Sequence, residues 1–433
     1  YLQCQSMLYM NAFKKRIALS EYPQLSKYLL KWLSLSLVSG LLVGSASALL
    51  LVSLFWATDT REANKWIIWL LPLGGFAVGW MYHYWGKNVV KGNNQLIEEL
   101  HKPKDIIPFK MAPLIYIGTV ITHLFGGSAG REGTAVQMGG AIVDQLSKIL
   151  KFHKNDRKIL IVMGISAGFA SVFGTPLAGA IFALEVMIIG RIRYDAIIPS
   201  FLAAIIADYT CTAWGVPHTQ YNIDIVPDLS LIGFLIAIAS GILFGVVSTF
   251  FSKGIHAFQN LAAKIKYPPL RPFIGGLLIA IFVFLMGTTK YIGLGIPTIV
   301  EAFEQPLPSY DFAIKILLTT FTIGVGFKGG EVTPLFFIGA TLGNALSIFL
   351  PLPMALLAGM GFVAVFSGAT NTPIACTLMG IELFGVEAGV FIAIACVTAY
   401  LFSGNTGIYS SQIIGSAKSD ALQNTEGKSL KEL

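Results

Sequence analysis

An almost uncharged apolar run from Val332 to Phe402 constrains this chain more than any other feature. About 20 helical residues cross a hydrocarbon core of roughly 30 Å, so this run must fold back several times within a membrane. Apolar stretches also precede it, at Leu37–Trp56, Trp66–Trp80, Met111–Leu124, Ile159–Leu184, Ile197–Ile206, Leu231–Phe251, Phe273–Met286 and Phe312–Val325. Hydrophobic residues make up 55% of the 433 positions and charged residues 12%, with a mean hydropathy of +0.70. That balance belongs to an integral membrane protein. The runs do not alternate with period two, which excludes a transmembrane barrel. Several are too short to span unbroken or carry Gly, Pro or Ser every few residues, so the expected fold is all-α and polytopic, with broken, re-entrant helices. The 45 glycines suit close helix packing.

The net charge is +7, but the positive residues sit between apolar runs and near the ends. Lys14, Lys15 and Arg16 form one cluster; Lys148, Lys151, Lys154, Arg157 and Lys158 form another around His153. Both belong on the cytoplasmic face by the positive-inside rule, and this patterning excludes a nucleic-acid partner. Cys4, Cys211, Cys376 and Cys396 are scattered and read as small core residues. The six histidines form no close cluster. Nothing implies a metal, a cofactor or an enzyme. The first residues lack the order of a cleavable signal, and the polar segment Lys418–Leu433 reads as a frayed cytoplasmic end.

Within this apolar background stands Gly130-Arg131-Glu132-Gly133-Thr134, echoed at Gly329-Gly330-Glu331-Val332-Thr333. Buried charge must repay its desolvation, which makes Glu132 and Glu331 the leading functional candidates. The echo continues outward. Gly168-Phe169-Ala170-Ser171-Val172-Phe173 precedes Pro176 and Glu185, as Gly361-Phe362-Val363-Ala364-Val365-Phe366 precedes Pro373 and Glu382, with proline nine residues before glutamate each time. Two homologous halves follow, roughly Lys31–Cys211 and Leu231–Gly404, with the substrate expected between them. Whether they are parallel or inverted depends on a span count that broken segments obscure.

Each glutamate motif opens a helical stretch, Ala135–Leu150 or Pro334–Leu350, with Thr134 and Thr333 as candidate caps. Glycines leave the preceding N–H groups uncovered, and the helix start adds more, so each is an anion site in prospect. Gly92-Asn93-Asn94 offers a third helix start, with Glu98 and Glu99 in its early turns. Three such starts can surround a dehydrated anion without the fixed positive charge that would trap it. An ionised Glu132 can fill an anion site itself, and a protonated Glu132 can leave and admit the ion, coupling proton to anion movement. The alternatives are structural: a local Arg131–Glu132 ion pair, a Glu331–Lys328 pair, helix-end roles for Glu185 and Glu382, and an interfacial role for Tyr409.

These motifs resemble the CLC family of anion channels and proton-coupled anion exchangers, over about Lys31–Ile414. Gly130, Arg131, Glu132 and Gly133 match the family's gating-glutamate motif, but Thr134 stands where proline is usual, as in the fluoride-exporting bacterial branch. Gly92, Asn93 and Asn94 fall on the first anion motif, with Asn93 replacing the ion-coordinating serine. Gly330, Glu331, Val332 and Thr333 fall on a motif whose usual phenylalanine is missing, and Tyr409 matches the central tyrosine. The internal proton glutamate of chloride exchangers falls on Val186.

The resemblance implies a CLC-type fold of two inverted repeats and a homodimer with one pore per subunit. It also implies a multi-pass fluoride/proton antiporter of the bacterial cytoplasmic membrane, with fluoride, protons and lipid as its partners. Glu132 would be gate and proton carrier, and Glu331 a relay. Asn93, Val332, Thr333 and Tyr409 would bind the anion. Extra donors at Asn93, Thr134, Thr333 and Tyr409 suit small, strongly hydrated fluoride. The expected layout is an interfacial helix at 1–30, repeats at 31–211 and 231–414 joined by a linker at 212–230, and a polar tail at 415–433. A chloride/proton exchanger or passive chloride channel of the same family is the rival, and a non-transporting membrane receptor or structural protein the more distant one.

Overall fold

The computed structural model describes residues 22–433. Cys4, the Lys14–Arg16 cluster and most of the expected segment 1–30 lie outside the described residues. The described chain is helical apart from one pair of two-residue strands. The first half contains α1 (Tyr22–Ala63), α2 (Leu71–Tyr84), α3 (Asn93–His101), α4 (Met111–Leu124), α5 (Glu132–Ile149), α6 (Lys154–Phe173), α7 (Pro176–Glu185) and α8 (Ile197–Ala213). The second contains α9 (Leu231–Ala263), α10 (Leu270–Met286), α11 (Ile296–Glu304), α12 (Asp311–Gly324), α13 (Val332–Leu346), α14 (Met354–Thr370), α15 (Pro373–Phe384) and α16 (Gly389–Phe402). Helix α1 runs unbroken past the boundary expected at residue 31.

The halves match helix for helix. Each opens with a long helix, of 42 and 33 residues in α1 and α9, and the third helix of each is only 9 residues long. Both short helices start after a glycine at positive φ, Gly92 at 56° and Gly295 at 75°. Both α6 and α14 end on a left-handed residue, Gly174 or Asn371, after which Pro176 or Pro373 starts the next helix with a φ already suited to it.

Packing repeats as well. A β-carbon at Gly139 would lie 2.1 Å from Gly164 O, and one at Gly339 would lie 2.0 Å from Gly361 O. Helices α5 and α6, like α13 and α14, therefore meet at backbone distance, which only small residues permit. The two motif loops pair with each other: Gly130 N–H donates to Gly330 O at 2.6 Å and Gly330 N–H to Gly130 O at 2.7 Å, in antiparallel sense. This pairing relates the two motifs by a local two-fold axis.

Among the described residues three helices are long and apolar enough to cross a membrane, Tyr22–Ala63, Tyr194–Ala213 (which includes the 3₁₀ turn before α8) and Leu231–Ala263; seven further apolar helices are shorter, at 10–17 residues. Buried charge or close packing surrounds the broken ends, while large apolar side chains such as Leu37, Leu49, Phe250, Phe284 and Leu285 remain exposed, as lipid contact requires. Cys211, Cys376 and Cys396 pack in the core, unbridged.

Within the basic cluster around His153, Arg157 is buried: it pairs with Asp144 at 2.8 and 2.9 Å and reaches Glu99 at 3.0 Å, tying α6 to α5 and α3. One expectation fails here, because the tail is not frayed. Strand β1 (Ile188–Ile189) pairs with β2 (Ile413–Ile414), and Gly427 and Leu430 then donate to Ile414 O and Gln412 O at 2.8 and 3.0 Å. A polar segment docks when its backbone finds such partners.

Candidate functional site

Helix starts α5 and α13 meet head to head at the Gly130–Gly330 pairing, and α3 approaches from the side. Gly133 marks the junction: a β-carbon there would sit 3.1 Å from Asn93 Nδ2, 3.1 Å from Gly330 Cα and 3.4 Å from Glu331 Oε2. The structure thus brings Asn93, Gly130, Glu132, Gly133, Gly330, Glu331, Val332 and Thr333 into one buried cluster.

Glu132 is fully buried, and its carboxylate sits on the N-terminus of α13. The Thr333 N–H donates to Oε2 at 3.1 Å, while the Thr333 hydroxyl lies 2.8 Å from Oε1 and 2.7 Å from Oε2. The Arg131 N–H adds a longer bond at 3.3 Å. Donors at a helix start with its dipole behind them favour negative charge, so this carboxylate occupies an anion site built by the other half of the chain. The local ion pair also exists, with Arg131 Nε 3.6 Å from Glu132 Oε1. It is a longer contact than those from Thr333.

Glu331 occupies the position just before α13, but its side chain makes no capping hydrogen bond there. The alternative pairing with Lys328 is not formed among the described ion pairs; the Lys328 ammonium instead lies over the Tyr82 ring, 4.2 Å from its centroid. Glu331 Oε2 and Asn93 Oδ1 are buried without hydrogen-bond partners, a costly condition that marks them as groups kept for something other than folding.

Tyr409 is buried, not interfacial. With Asn93 it lines a small cavity of about 10 Å³ whose surface is nearly all apolar, its other walls including Val136, Phe182 and Val186. That is room for one water-sized particle, which is also the size of a fluoride ion. Asn93, Glu331 and Tyr409 further line a vestibule of about 760 Å³ that also takes in Gln137, His256 and Lys328. Sequence reasoning missed Gln137 and Phe182. Gln137 lies one helical turn past Thr134 on α5, and its side chain packs against Gly92, where a β-carbon would come within 2.9 Å of Oε1.

Several local assignments are corrected. Helix α5 starts at Glu132 and α13 at Val332, so Thr134 and Thr333 lie inside the first turn and cap nothing. The Thr333 hydroxyl serves Glu132 instead. The Thr134 hydroxyl pairs with Thr119 at 2.7 Å, binding α5 to α4 rather than facing the ion. At α3 the cap position is Gly92; Asn93 is the first helical residue, and Asn94 Oδ1 accepts from Ser411 N–H at 3.0 Å. Because α3 is so short, Glu98 and Glu99 fall near its C-terminal end, where the dipole opposes them. Basic partners compensate: Lys91 and Lys431 lie 2.7 and 3.1 Å from the Glu98 carboxylate. Partial burial works to raise the Glu98 pKa, but bonds and charge from these lysines outweigh it and hold it below the usual range.

Glu185 and Glu382 are helix-end groups, as expected, but across the repeats. Glu185 accepts from the N–H groups of Ile374 and Ala375 at 3.1 and 2.8 Å, and Glu382 from those of Leu177 and Ala178 at 2.9 and 2.8 Å. Each glutamate caps the broken helix of the other half.

A family model described as voltage gated chloride channel matches residues 74–404. The chain belongs to the CLC family. This CLC protein is 54% identical to a chloride/fluoride channel protein of Pseudomonas syringae pv. tomato over 92% of its length and 90% of the relative's. It is 28% identical to an H⁺/Cl⁻ exchange transporter of Vibrio cholerae, over 73% and 72% of the two chains. The crystal structure of a CLC-type fluoride/proton antiporter superposes with a TM-score of 0.86 at 35% identity, over 89% of this chain and 98% of that one. A cyanobacterial Cl⁻/H⁺ antiporter, at 20% identity and a TM-score of 0.77, shares the fold.

Proposed function

We propose that this CLC protein is a fluoride/proton antiporter of the bacterial cytoplasmic membrane, exporting fluoride at the expense of inward proton movement. The observation that carries the reading is the seating of the Glu132 carboxylate on the N-terminus of α13, held by the N–H and hydroxyl of Thr333. A carboxylate in an anion site competes with the mobile anion, and protonation removes the competition, so proton uptake and anion entry become alternating steps. Glu132 is then the outer gate and proton carrier. Asn93, Tyr409, Thr333 and the Val332 backbone bound the central anion position, and Glu331, which lines the vestibule beside Asn93 and Tyr409, relays protons or assists the ion.

Kinship with both the chloride/fluoride channel protein and the fluoride/proton antiporter supports the substrate. So does the donor set: small, basic fluoride gives up its water only for close N–H and O–H groups, and Asn93, Thr333 and Tyr409 supply them. The family's homodimer, with one pore per subunit, is part of the same reading. The channel in the Pseudomonas relative's name favours a second reading, passive flow of fluoride or chloride. Flux from proteoliposomes with fluoride or chloride, with and without a proton gradient, decides between them. Fluoride movement driven uphill by protons supports exchange, and flow that ignores the proton gradient establishes the channel.

A further inference from the structure

The segment 427–433 lies against the innermost part of the pathway. Its backbone is laddered onto the chain after Tyr409: Gly427 N–H donates to Ile414 O at 2.8 Å, Ile414 N–H to Lys428 O at 2.9 Å, Leu430 N–H to Gln412 O at 3.0 Å and Lys431 N–H to Ser410 O at 2.9 Å. Leu430, Lys431 and Leu433 then form part of the vestibule wall, beside Asn93, Glu331 and Tyr409.

The opposite side of this ladder is tied to α3, and the tie converges on one carboxylate. Glu98 Oε1 accepts from the Ser411 hydroxyl and the Lys431 ammonium, both at 3.1 Å, while its Oε2 accepts from Lys91 at 2.7 Å. One turn earlier on the same helix, Asn94 Oδ1 accepts from Ser411 N–H at 3.0 Å. Asn93 begins this helix, and Tyr409 stands two residues before Ser411. A single exposed ion pair contributes little. Here the backbone ladder already holds the strap, so Glu98 has only to set its fine position rather than to dock it, and the Ser411 hydroxyl adds a shorter-armed partner to the two lysines.

We propose that Glu98 is a positioning residue for the anion pathway: it clasps the strap 427–433 and the Tyr409 loop to the start of α3, and thereby sets the spacing between Asn93 and Tyr409. The inference rests on the reading that these two residues bound the anion position. A first-turn residue and a loop residue on separate elements keep one spacing only if something spans them, and among the described residues Glu98 touches both elements and the strap.

The test uses the full chain in proteoliposomes, with Glu98→Gln, Lys431→Met, both together, and Lys431→Arg. If the unaltered protein carries no fluoride, the proposed function fails, whatever the variants do. With fluoride carried, Glu98→Gln and Lys431→Met are expected to raise the KM for fluoride about fivefold with maximal turnover within twofold. The double variant should be no worse than Glu98→Gln, and Lys431→Arg should restore the original KM. In parallel, hydrogen exchange of amides 410–412 and 430–431 should quicken in Glu98→Gln without a change in overall thermal stability. An unaltered KM in both single variants, additive effects in the double, or unaltered exchange in protein that runs as a single species on size exclusion would overturn the proposal.

Discussion

The hydroxyl of Thr333 lies 2.7 and 2.8 Å from the two oxygens of Glu132, across the boundary between the two halves of the chain. One residue's donor therefore holds the other's charge at a helix start of the opposite half. On the proposed mechanism, this is the place of the mobile anion, and departure of Glu132 frees the same hydroxyl for the ion. A hydrogen bond to a charged group contributes about 1.5–3 kcal/mol, so Thr333→Val is expected to raise the fluoride KM about tenfold or more, while Thr333→Ser stays close to the original. Fluoride-electrode measurements of flux against concentration check this, and equal values for the two variants would contradict the role given to the hydroxyl.

Glu132→Gln keeps the shape and the bonds to Thr333 but removes the titrating proton. Coupled exchange is expected to stop, with the folded protein unchanged in size and melting behaviour. Simultaneous recording of internal pH and external fluoride is the measurement. Proton-coupled fluoride flux at the original rate in this variant would remove Glu132 from the gate.

The reciprocal caps of Glu185 and Glu382 hold broken helices α7 and α15 together inside the apolar core. Each carboxylate accepts two N–H bonds at 2.8–3.1 Å, so replacing either by leucine leaves two donors unpaired at a buried helix start. The expected cost is about 1–3 kcal/mol for each, with milder loss for glutamine, which retains one acceptor. Because both caps serve the same pair of helices, the double variant is expected to depart from additivity. Thermal unfolding in detergent of the two single variants and the double gives the answer; undiminished stability in Glu185→Leu would show the cap to be idle.

Those caps also show what one sequence can and cannot disclose. The matched proline-to-glutamate spacing was readable as a repeat, and the helix-end role was inferable from position. That each glutamate serves the other half was not, because the partner N–H groups lie about two hundred residues away and backbone donors leave no signature in side-chain identity. Glu132, Glu331, Asn93 and Tyr409 were legible for the opposite reason: polar groups are rare in apolar runs, and each sat in a glycine-bearing motif. The threonines were read as caps and given the wrong partners. A shift of three residues in one helix start and two in the other turns a cap into a first-turn side chain, which is why Thr134 went to Thr119 and Thr333 to Glu132. The docked tail escaped notice because its ladder is almost wholly backbone.

The pH response of the strap follows from Glu98. Its carboxylate faces Lys91 beside α3, Lys431 on the strap and the Ser411 hydroxyl, with Glu99 and Lys102 near on its own helix. His101 has its pKa lowered, chiefly by burial, and so adds no charge at neutral pH. Against partial burial, Lys91 and Lys431 hold the Glu98 pKa below its ordinary value. A carboxylate depressed in the folded state stabilises fully above its unfolded pKa, near 4.3 for glutamate, and loses that contribution as pH falls through the lower folded value. Hydrogen-exchange protection at 430–431, corrected for intrinsic rates, should therefore stay constant from about pH 8 to about pH 5 and fall only below about pH 4. Loss of protection beginning near neutrality would point to a different titrating group.

Gly133 offers the most direct probe of the convergence itself. It lies in the first turn of α5, where alanine is the better helix former and no positive φ has to be relieved, so Gly133→Ala should fold, its helix gain offset by the close backbone contact the new carbon makes with Gly330. Yet the added carbon would meet Gly330 Cα and Asn93 Nδ2, each at 3.1 Å, and Glu331 Oε2 at 3.4 Å. Gly330 is held by its pairing with Gly130, whereas Asn93 offers a side chain, so the Asn93 amide is expected to give way by a few tenths of an ångström beside the proposed anion position. Because the displacement is a fraction of the 1 Å error that costs about a hundredfold in other sites, fluoride turnover is expected to fall about threefold. Gly389→Ala, where the new carbon meets only the Ile381 side chain at 3.2 Å and beyond, is the control. If Gly133→Ala transports fluoride as fast as Gly389→Ala, the ion does not pass through the place where α3, α5 and α13 meet.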